Sequence, residues 1–287
     1  MTETVVRVDD LRKTYRGGVE ALRGVSFEIA RGETFALLGP NGAGKSTTIE
    51  ILEGYRDRTG GAAEVLGTDP QRGDLDWKAR LGIVLQGTDE APAATVREQL
   101  AHFAGFYPKP RDVDEVIAAV GLTDKAKTSI RKLSGGQRRR VDVALGIVGG
   151  PELLFLDEPT TGFDPAARRS FWDLIRRLQD EGTTILLTTH YLDEAAELSS
   201  RAGIIANGVM AAIGGIDELG GAEARVPIVR WRENGVVREE RTDAPGSVVA
   251  RLAALGEPEG LEIIRPSLED VYLSFVGADK ELLEVTA

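Results

Sequence analysis

Short segments of this 287-residue chain carry residue types suited to phosphate chemistry. Gly39-Pro40-Asn41-Gly42-Ala43-Gly44-Lys45-Ser46-Thr47 fits the pattern G-x-x-x-x-G-K-[ST]. Glycines at those places let the chain turn sharply and bring backbone N–H groups close around a polyphosphate. Lys45 supplies a full positive charge to the β- and γ-phosphates, and Ser46 an oxygen for Mg²⁺. A second segment, Leu153-Leu-Phe-Leu-Asp157-Glu158-Pro159, is an apolar run ending in two carboxylates. Alternation along a strand sends adjacent side chains to opposite faces, so the two carboxylates can serve different tasks. Asp157 is placed to hold the Mg²⁺ shell through water, and Glu158 to orient or deprotonate an attacking water, as phosphoryl transfer requires. The third segment, Leu133-Ser134-Gly135-Gly136-Gln137, reads by itself as a helix start with a glycine turn, whose amides offer a small anion site.

These residues need rigid elements behind them. Thr34–Leu38 is an apolar run feeding into the glycine loop, and Ser46–Glu53 reads as a helix ending near Gly54. That strand–loop–helix order is the context a phosphate loop requires. Strands are predicted upstream at Val5–Val8 and Val25–Ile29, and downstream at Leu153–Leu156, Thr184–Thr188 and Ala202–Ile205. The segment from Thr95 to Val148 is mostly helical; Val141, Ala144, Leu145 and Val148 repeat at i, i+3, i+4, i+7. Ala166–Gln179 also carries helical spacing. Strands alternating with helices imply a parallel sheet with both faces covered. Gly214–Gly221 suits a linker. Beyond it a hairpin turning at Glu233-Asn234-Gly235, a helix near Gly246–Leu255, a strand at Leu261–Ile264 and a helix opening at Ser267 make up a small α+β unit. Ser267 and Asp270 resemble a capping box with Asp in the Glu place.

Composition bounds the partners. Apolar residues make 42% and charged residues 28%, the values of a globular protein, and no apolar run approaches the ~18–20 residues of a membrane span. No secretion signal is apparent, and the absence of cysteine excludes disulfides and thiolate metal sites. A formal charge of −11 argues against nucleic acid as a main partner.

Together the segments resemble the nucleotide-binding subunits of ABC transporters, over about residues 3–220. The resemblance implies a P-loop NTPase of ABC type: a RecA-like mixed sheet, an N-terminal antiparallel β-subdomain and a helical subdomain at about 87–148, all within 1–220. A small C-terminal accessory domain at 221–287 follows. It also implies ATP with Mg²⁺ as ligands and assigns further residues. Leu133–Gln137 looks like the signature motif, with Ser134, Gly135, Gly136 and Gln137 facing the γ-phosphate bound by a second copy. Gln86 looks like the Q-loop residue that touches Mg²⁺ and couples to a membrane partner; read alone, it is a polar strand end. Thr161-Gly-Phe-Asp164 resembles the D-loop, with Phe163 where leucine is commoner, a change expected to alter packing between copies without loss of chemistry. His190 resembles the switch histidine that contacts the γ-phosphate, where a lone histidine after a strand otherwise reads as a satisfied polar residue. Tyr15 looks like the aromatic residue that stacks on adenine; otherwise it is a surface strand tyrosine. His102 lacks such a context and reads as helix packing or surface. Arg131, Lys132 and Arg138–Arg140 read as a solvated basic face, with the alternative that some of them tune the phosphate-facing or subunit-facing surface.

The segment Thr160–Glu194 and the ending Pro266–Tyr272 resemble ATP-binding subunits of drug and antibiotic exporters, including the daunorubicin-resistance type. The expected machine is therefore an ATPase subunit, peripheral on the cytoplasmic face of the membrane. It works as a homodimer that sandwiches two ATP–Mg²⁺ units, beside a separate transmembrane permease. Competing readings are a soluble ABC-type ATPase such as one serving cluster assembly, and a nucleotide-binding module without turnover. The second is opposed by the intact Glu158 and His190. The short spacing between Lys45 and Ser134 and the absence of cysteine oppose repair-type relatives with coiled-coil or zinc insertions.

Overall fold

The computed structural model describes residues 3–84, 93–233, 235–254, 256 and 258–276. The chain divides into two compact units, Met1–Ala211 and Ala212–Ala287.

In the first unit, β1 (Thr4–Thr14) and β2 (Glu20–Ala30) form a long antiparallel pair. Along β2, Val25, Phe27 and Ile29 are buried at every second position, so one face of this sheet points into the core. β3 (Thr34–Leu38) follows, buried at every residue, then the glycine loop and α1 (Lys45–Leu52). β4 (Gly60–Val65) returns to pair with β1, completing a three-stranded antiparallel sheet in the order β2-β1-β4. Phe27 of that sheet stacks on Phe35 of β3, ring centroids 5.3 Å apart, and so joins it to the main core.

Next come α2 (Leu75–Lys78) and β5 (Leu81–Val84). The predicted helical stretch contains α3 (Val96–Ala104), α4 (Val113–Ala119) and α5 (Gly135–Ile147), with 3₁₀ turns between. Thr95 and Glu98 close a reciprocal capping box on α3. On α5, Val141 and Ala144 are buried as the spacing implies, but Leu145 is half-exposed, and Val143 and Ile147 share the buried face.

β6 (Leu153–Asp157), α6 (Pro165–Asp180), β7 (Thr184–Thr189), α7 (Leu192–Leu198), β8 (Arg201–Ala206) and β9 (Val209–Gly215) complete the second sheet. Its order is β5-β6-β7-β3-β8-β9. The core strands are parallel and buried almost throughout, which is why they read as continuous apolar runs rather than as alternation. α6 covers the sheet with Phe171, Leu174, Ile175 and Leu178, one helical face, and opens with Asp164 as cap and Pro165 in the first turn. Asn207 and Gly208, both with positive φ, make the tight turn from β8 to β9.

The sequence places a linker at Gly214–Gly221. Instead, Gly214 and Gly215 finish β9 and Gly221 opens α8 (Gly221–Arg225), and residues 216–220 turn between these two elements. Glycine lowers strand and helix propensity, but neighbouring hydrogen bonds carry the element through it. In the second unit, β10 (Ile228–Glu233) pairs antiparallel with both β11 (Val236–Arg241) and β12 (Glu259–Ile264). Glu233 lies opposite Val236, the register of a two-residue hairpin; Asn234 lies outside the described residues. α9 (Pro245–Ala253) and α10 (Leu268–Val276) complete the unit, and Ser267 and Asp270 form the expected cap, with Ser267 N–H donating to Asp270 Oδ2 at 2.7 Å.

Candidate active site

Register within the parallel sheet assembles the site. Leu38, the last residue of β3, pairs with Thr189 of β7, and Thr188 of β7 pairs with Asp157 at the end of β6. Three adjacent strands therefore stop together, and the glycine loop, the carboxylate pair and the segment holding His190 leave the sheet side by side. The crevice beyond the carboxyl ends of parallel strands is where such sheets bind ligands.

The loop is held open by its glycines. Gly42 and Gly44 adopt φ of 80° and 111°. A Cβ at Gly44 would sit 2.6 Å from Leu22 Cδ2 and 2.8 Å from the Ala21 carbonyl. Lys45 is buried, and its ammonium donates to the carbonyls of Gly39 at 2.8 Å and Pro40 at 3.2 Å. Burial holds that ammonium below the usual lysine range, while the Glu158 and Asp157 carboxylates push it back up. Ser46 is exposed beside it, and Thr47 Oγ1 lies 3.2 Å from Tyr15 Oη. Tyr15 thus stands next to the loop, with the Arg56 guanidinium over its ring at 5.1 Å.

Glu158 lies at the centre. Its Oε1 is 3.8 Å from Lys45 Nζ and its Oε2 is 3.3 Å from His190 Nδ1. Its backbone is left-handed, with φ of 43°, a conformation that costs a residue with a Cβ of order 1–3 kcal/mol and persists only where its surroundings impose it. The Glu158 N–H donates to both the carbonyl and the hydroxyl oxygen of Thr188 at 3.1 Å. The Thr188 hydroxyl in turn donates to Asp157 Oδ1 at 2.5 Å. One buried threonine therefore sets both carboxylates.

The signature segment is built differently. Ser134 caps α5 through a reciprocal box, accepting from Gln137 N–H at 3.3 Å while Gln137 Oε1 accepts from Ser134 N–H at 3.1 Å. Gly135 and Gly136 form the first turn. A cavity of about 170 Å³ beside them is lined by Ser134, Gly136, Gln137, Arg140 and Phe163 among others. Phe163 packs edge-on against Phe171 at 5.9 Å, so the ring lies against α6. Asp164 accepts from the N–H groups of Ala166 and Ala167, both at 2.9 Å. Lys45, Asp157, Glu158 and His190 thus meet, and Tyr15 joins them at the loop. Among the described residues, the Leu133–Gln137 hydrogen bonds are local to α5 and the turn before it. Gln86 lies outside the described residues.

Oxygen donors suited to Mg²⁺ are present in Ser46 and Asp157. Among the described residues no group of three or more His, Cys, Asp or Glu side chains could hold a metal ion. A magnesium ion held by these two oxygens would complete its shell with water or phosphate oxygens.

Residues 22–161 match the family model described as ABC transporter. Over 99% of both chains, the protein is 34% identical to the daunorubicin resistance ATP-binding protein DrrA3 of Streptomyces coeruleorubidus. The chain belongs to the ABC transporter ATP-binding subunits. A fluoroquinolones export ATP-binding protein of Mycobacterium tuberculosis is 39% identical over 80% of this chain and 78% of its own. Among solved structures, cbiO1 of Clostridium perfringens, part of the ABC transporter complex cbiONQ, superposes with a TM-score of 0.69 at 28% identity, covering 74% of this chain and 89% of that one. The α/β P-loop architecture expected from sequence is therefore the observed one. As an ABC ATPase the chain binds and hydrolyses ATP, energising a membrane transporter.

Three residues of this ABC subunit's site escaped sequence reasoning. Thr188 was visible only as a neighbour of His190, since a hydroxyl inside an apolar strand carries no signal about its partner. Glu53, at the end of α1, is buried, and among the described residues its Oε1 has no hydrogen-bond partner. Desolvation, with the charges of Asp157 and Glu50, pushes its carboxyl up to about 8. Arg139, read as part of a solvated basic face, is buried, whereas Arg131, Lys132 and Arg138 are exposed as expected. The spacing explains it: Arg139 lies four positions before Val143, on the same buried face of the helix.

Proposed function

We propose that this chain powers the export of drugs or other small hydrophobic molecules through a separate transmembrane permease, on the cytoplasmic face of the membrane. Its similarity to export and resistance ATP-binding proteins supports that direction. Two copies close around two ATP molecules. Each ATP lies between one copy's Gly39–Thr47 and the other's Leu133–Gln137, with Tyr15 against adenine and Asp164 near the contact between copies. Ser46, Asp157 and Gln86 hold Mg²⁺, which when bound neutralises phosphate charge.

Within each site Lys45 releases the Gly39 and Pro40 carbonyls for phosphate oxygens, and the loop amides share the negative charge. Glu158 accepts a proton from the attacking water, and His190 holds the Glu158 carboxylate on one side while reaching the γ-phosphate on the other. The observation that carries this reading is Glu158 fixed between Lys45 and His190 by a strained backbone. Residues 221–287 act as an accessory domain that stabilises or regulates the dimer.

Glu158→Gln tests the reading. The variant is expected to bind ATP, to accumulate as an ATP-dependent dimer in gel filtration, and to lose turnover by about 10²–10⁴-fold. Near-normal hydrolysis overturns the assignment of the base. Co-purification of a membrane-spanning protein with the trapped variant tests the transport partner.

A further inference from the structure

We propose that Arg139 is a positioning residue for Glu158, clamping the backbone on both sides of the carboxylate from the helix that the signature segment opens. The inference rests on the reading of Glu158 as the base.

The geometry is specific. Arg139 Nε donates to the Pro159 carbonyl at 2.9 Å and Nη2 donates to the Asp157 carbonyl at 3.1 Å. These are the carbonyls of the residues immediately before and after Glu158. The third edge of the guanidinium faces Asp142 Oδ2 at 3.7 Å, one turn further along α5, which holds the fork in plane. Arg139 is only 7% exposed, so these bonds operate away from water.

The clamp has a physical task. Glu158 occupies a left-handed conformation unfavourable for any residue with a Cβ, and such strain survives only where bonds on every side impose it. Thr188 restrains the Glu158 N–H, but no part of Thr188 restrains the Pro159 carbonyl. Arg139 supplies that restraint. A planar fork can reach two carbonyls two residues apart in one geometry, whereas an ammonium is a point donor on a flexible stem. Without the fork, the peptides flanking Glu158 can relax toward an ordinary turn, drawing the carboxylate away from Lys45 and His190. The helix carrying Arg139 begins at Ser134, little more than a turn earlier, so the segment that meets the second copy's ATP and the backbone that aims the base share one rigid element.

Steady-state ATP hydrolysis by full-length Arg139→Met and Arg139→Lys tests this, alone and combined with Glu158→Gln. Arg139→Met is expected to lower kcat by about 100-fold, the order lost when a reacting group moves by about an ångström, with KM for ATP within about twofold. Arg139→Lys, reaching one carbonyl at a time, is expected to recover part of the loss. In the Glu158→Gln background, Arg139→Met is expected to cause no further fall in the residual rate, because there is no base left to aim. A purely structural arginine behaves differently: its loss repeats undiminished in that background, and that result overturns the proposal, as does full activity in Arg139→Met. Should Arg139→Met not fold, Arg139→Lys carries the test, and wild-type kcat in it refutes the clamp. Normal hydrolysis by Glu158→Gln alone rejects the base itself, a separate outcome from any result at Arg139.

Discussion

Replacing Thr188 with valine removes a hydroxyl while keeping the shape of a fully buried side chain, and the structure sets the size of the effect. The hydroxyl donates to Asp157 Oδ1 at 2.5 Å, a charge-assisted bond, and accepts from the Glu158 N–H at 3.1 Å. That N–H keeps a second acceptor, the Thr188 carbonyl, also at 3.1 Å, so valine leaves no orphaned amide there. The loss is therefore chiefly the bond to the carboxylate, worth about 1.5–3 kcal/mol. For a unit of roughly 200 residues each kcal/mol moves the melting temperature by about 2–4 °C, which predicts a fall of about 3–12 °C. Asp157 also loses the partner that fixes its rotamer, so the ATP hydrolysis rate is expected to fall as well. Thermal or urea denaturation of the full chain, with hydrolysis measured on the same samples, checks both. Thr188→Ser keeps the hydroxyl and is expected to restore most of the activity. A valine variant within about 0.5 kcal/mol of wild type, with unchanged hydrolysis, refutes the argument that this threonine organises the carboxylate pair.

Glu53→Gln is expected to change how stability depends on pH. The folded-state pKa of Glu53 lies near 8 against an ordinary value of 4.5, so the native protein keeps a proton that the unfolded chain releases. Stability then falls as pH rises from about 4.5 to about 8, and glutamine should flatten that slope and add up to about 3 kcal/mol at pH 7 in urea titrations. Ser134→Ala removes the α5 cap and should cost about 1 kcal/mol of stability in urea titrations. Its effect on ATP-dependent dimerisation, followed by light scattering, should be larger if Ser134 meets the second copy's phosphate.

The local elements of the site were legible because glycine and proline positions, capping residues and apolar runs act through the backbone nearest to them. The loop at Gly39–Thr47 needs positive φ at Gly42 and Gly44, and that need is written in the residue types themselves. Helix α5 follows Ser134 for the same reason: the partner of that cap, Gln137, is three residues away. Phe163 shows where such reading ends. Its unusual size was evident from the chain, but that its ring rests edge-on against Phe171 follows from how α6 meets the loop.

Sequence by itself determined the chemistry: a phosphate loop, a carboxylate pair, a capped glycine helix start, and the family they point to. Tertiary structure decided the coordination of that chemistry. Only the parallel register of β3, β7 and β6 brings Lys45, His190 and Glu158 together, because hydrogen bonding between strands far apart in the chain fixes which ends align. Packing also decided that Arg139 leaves the basic run to bond the carbonyls around Glu158, and that Glu53 is buried with its carboxyl pushed up to about 8. Burial and partners at that distance are properties of the folded chain, set by which surfaces meet rather than by any residue's neighbours in sequence.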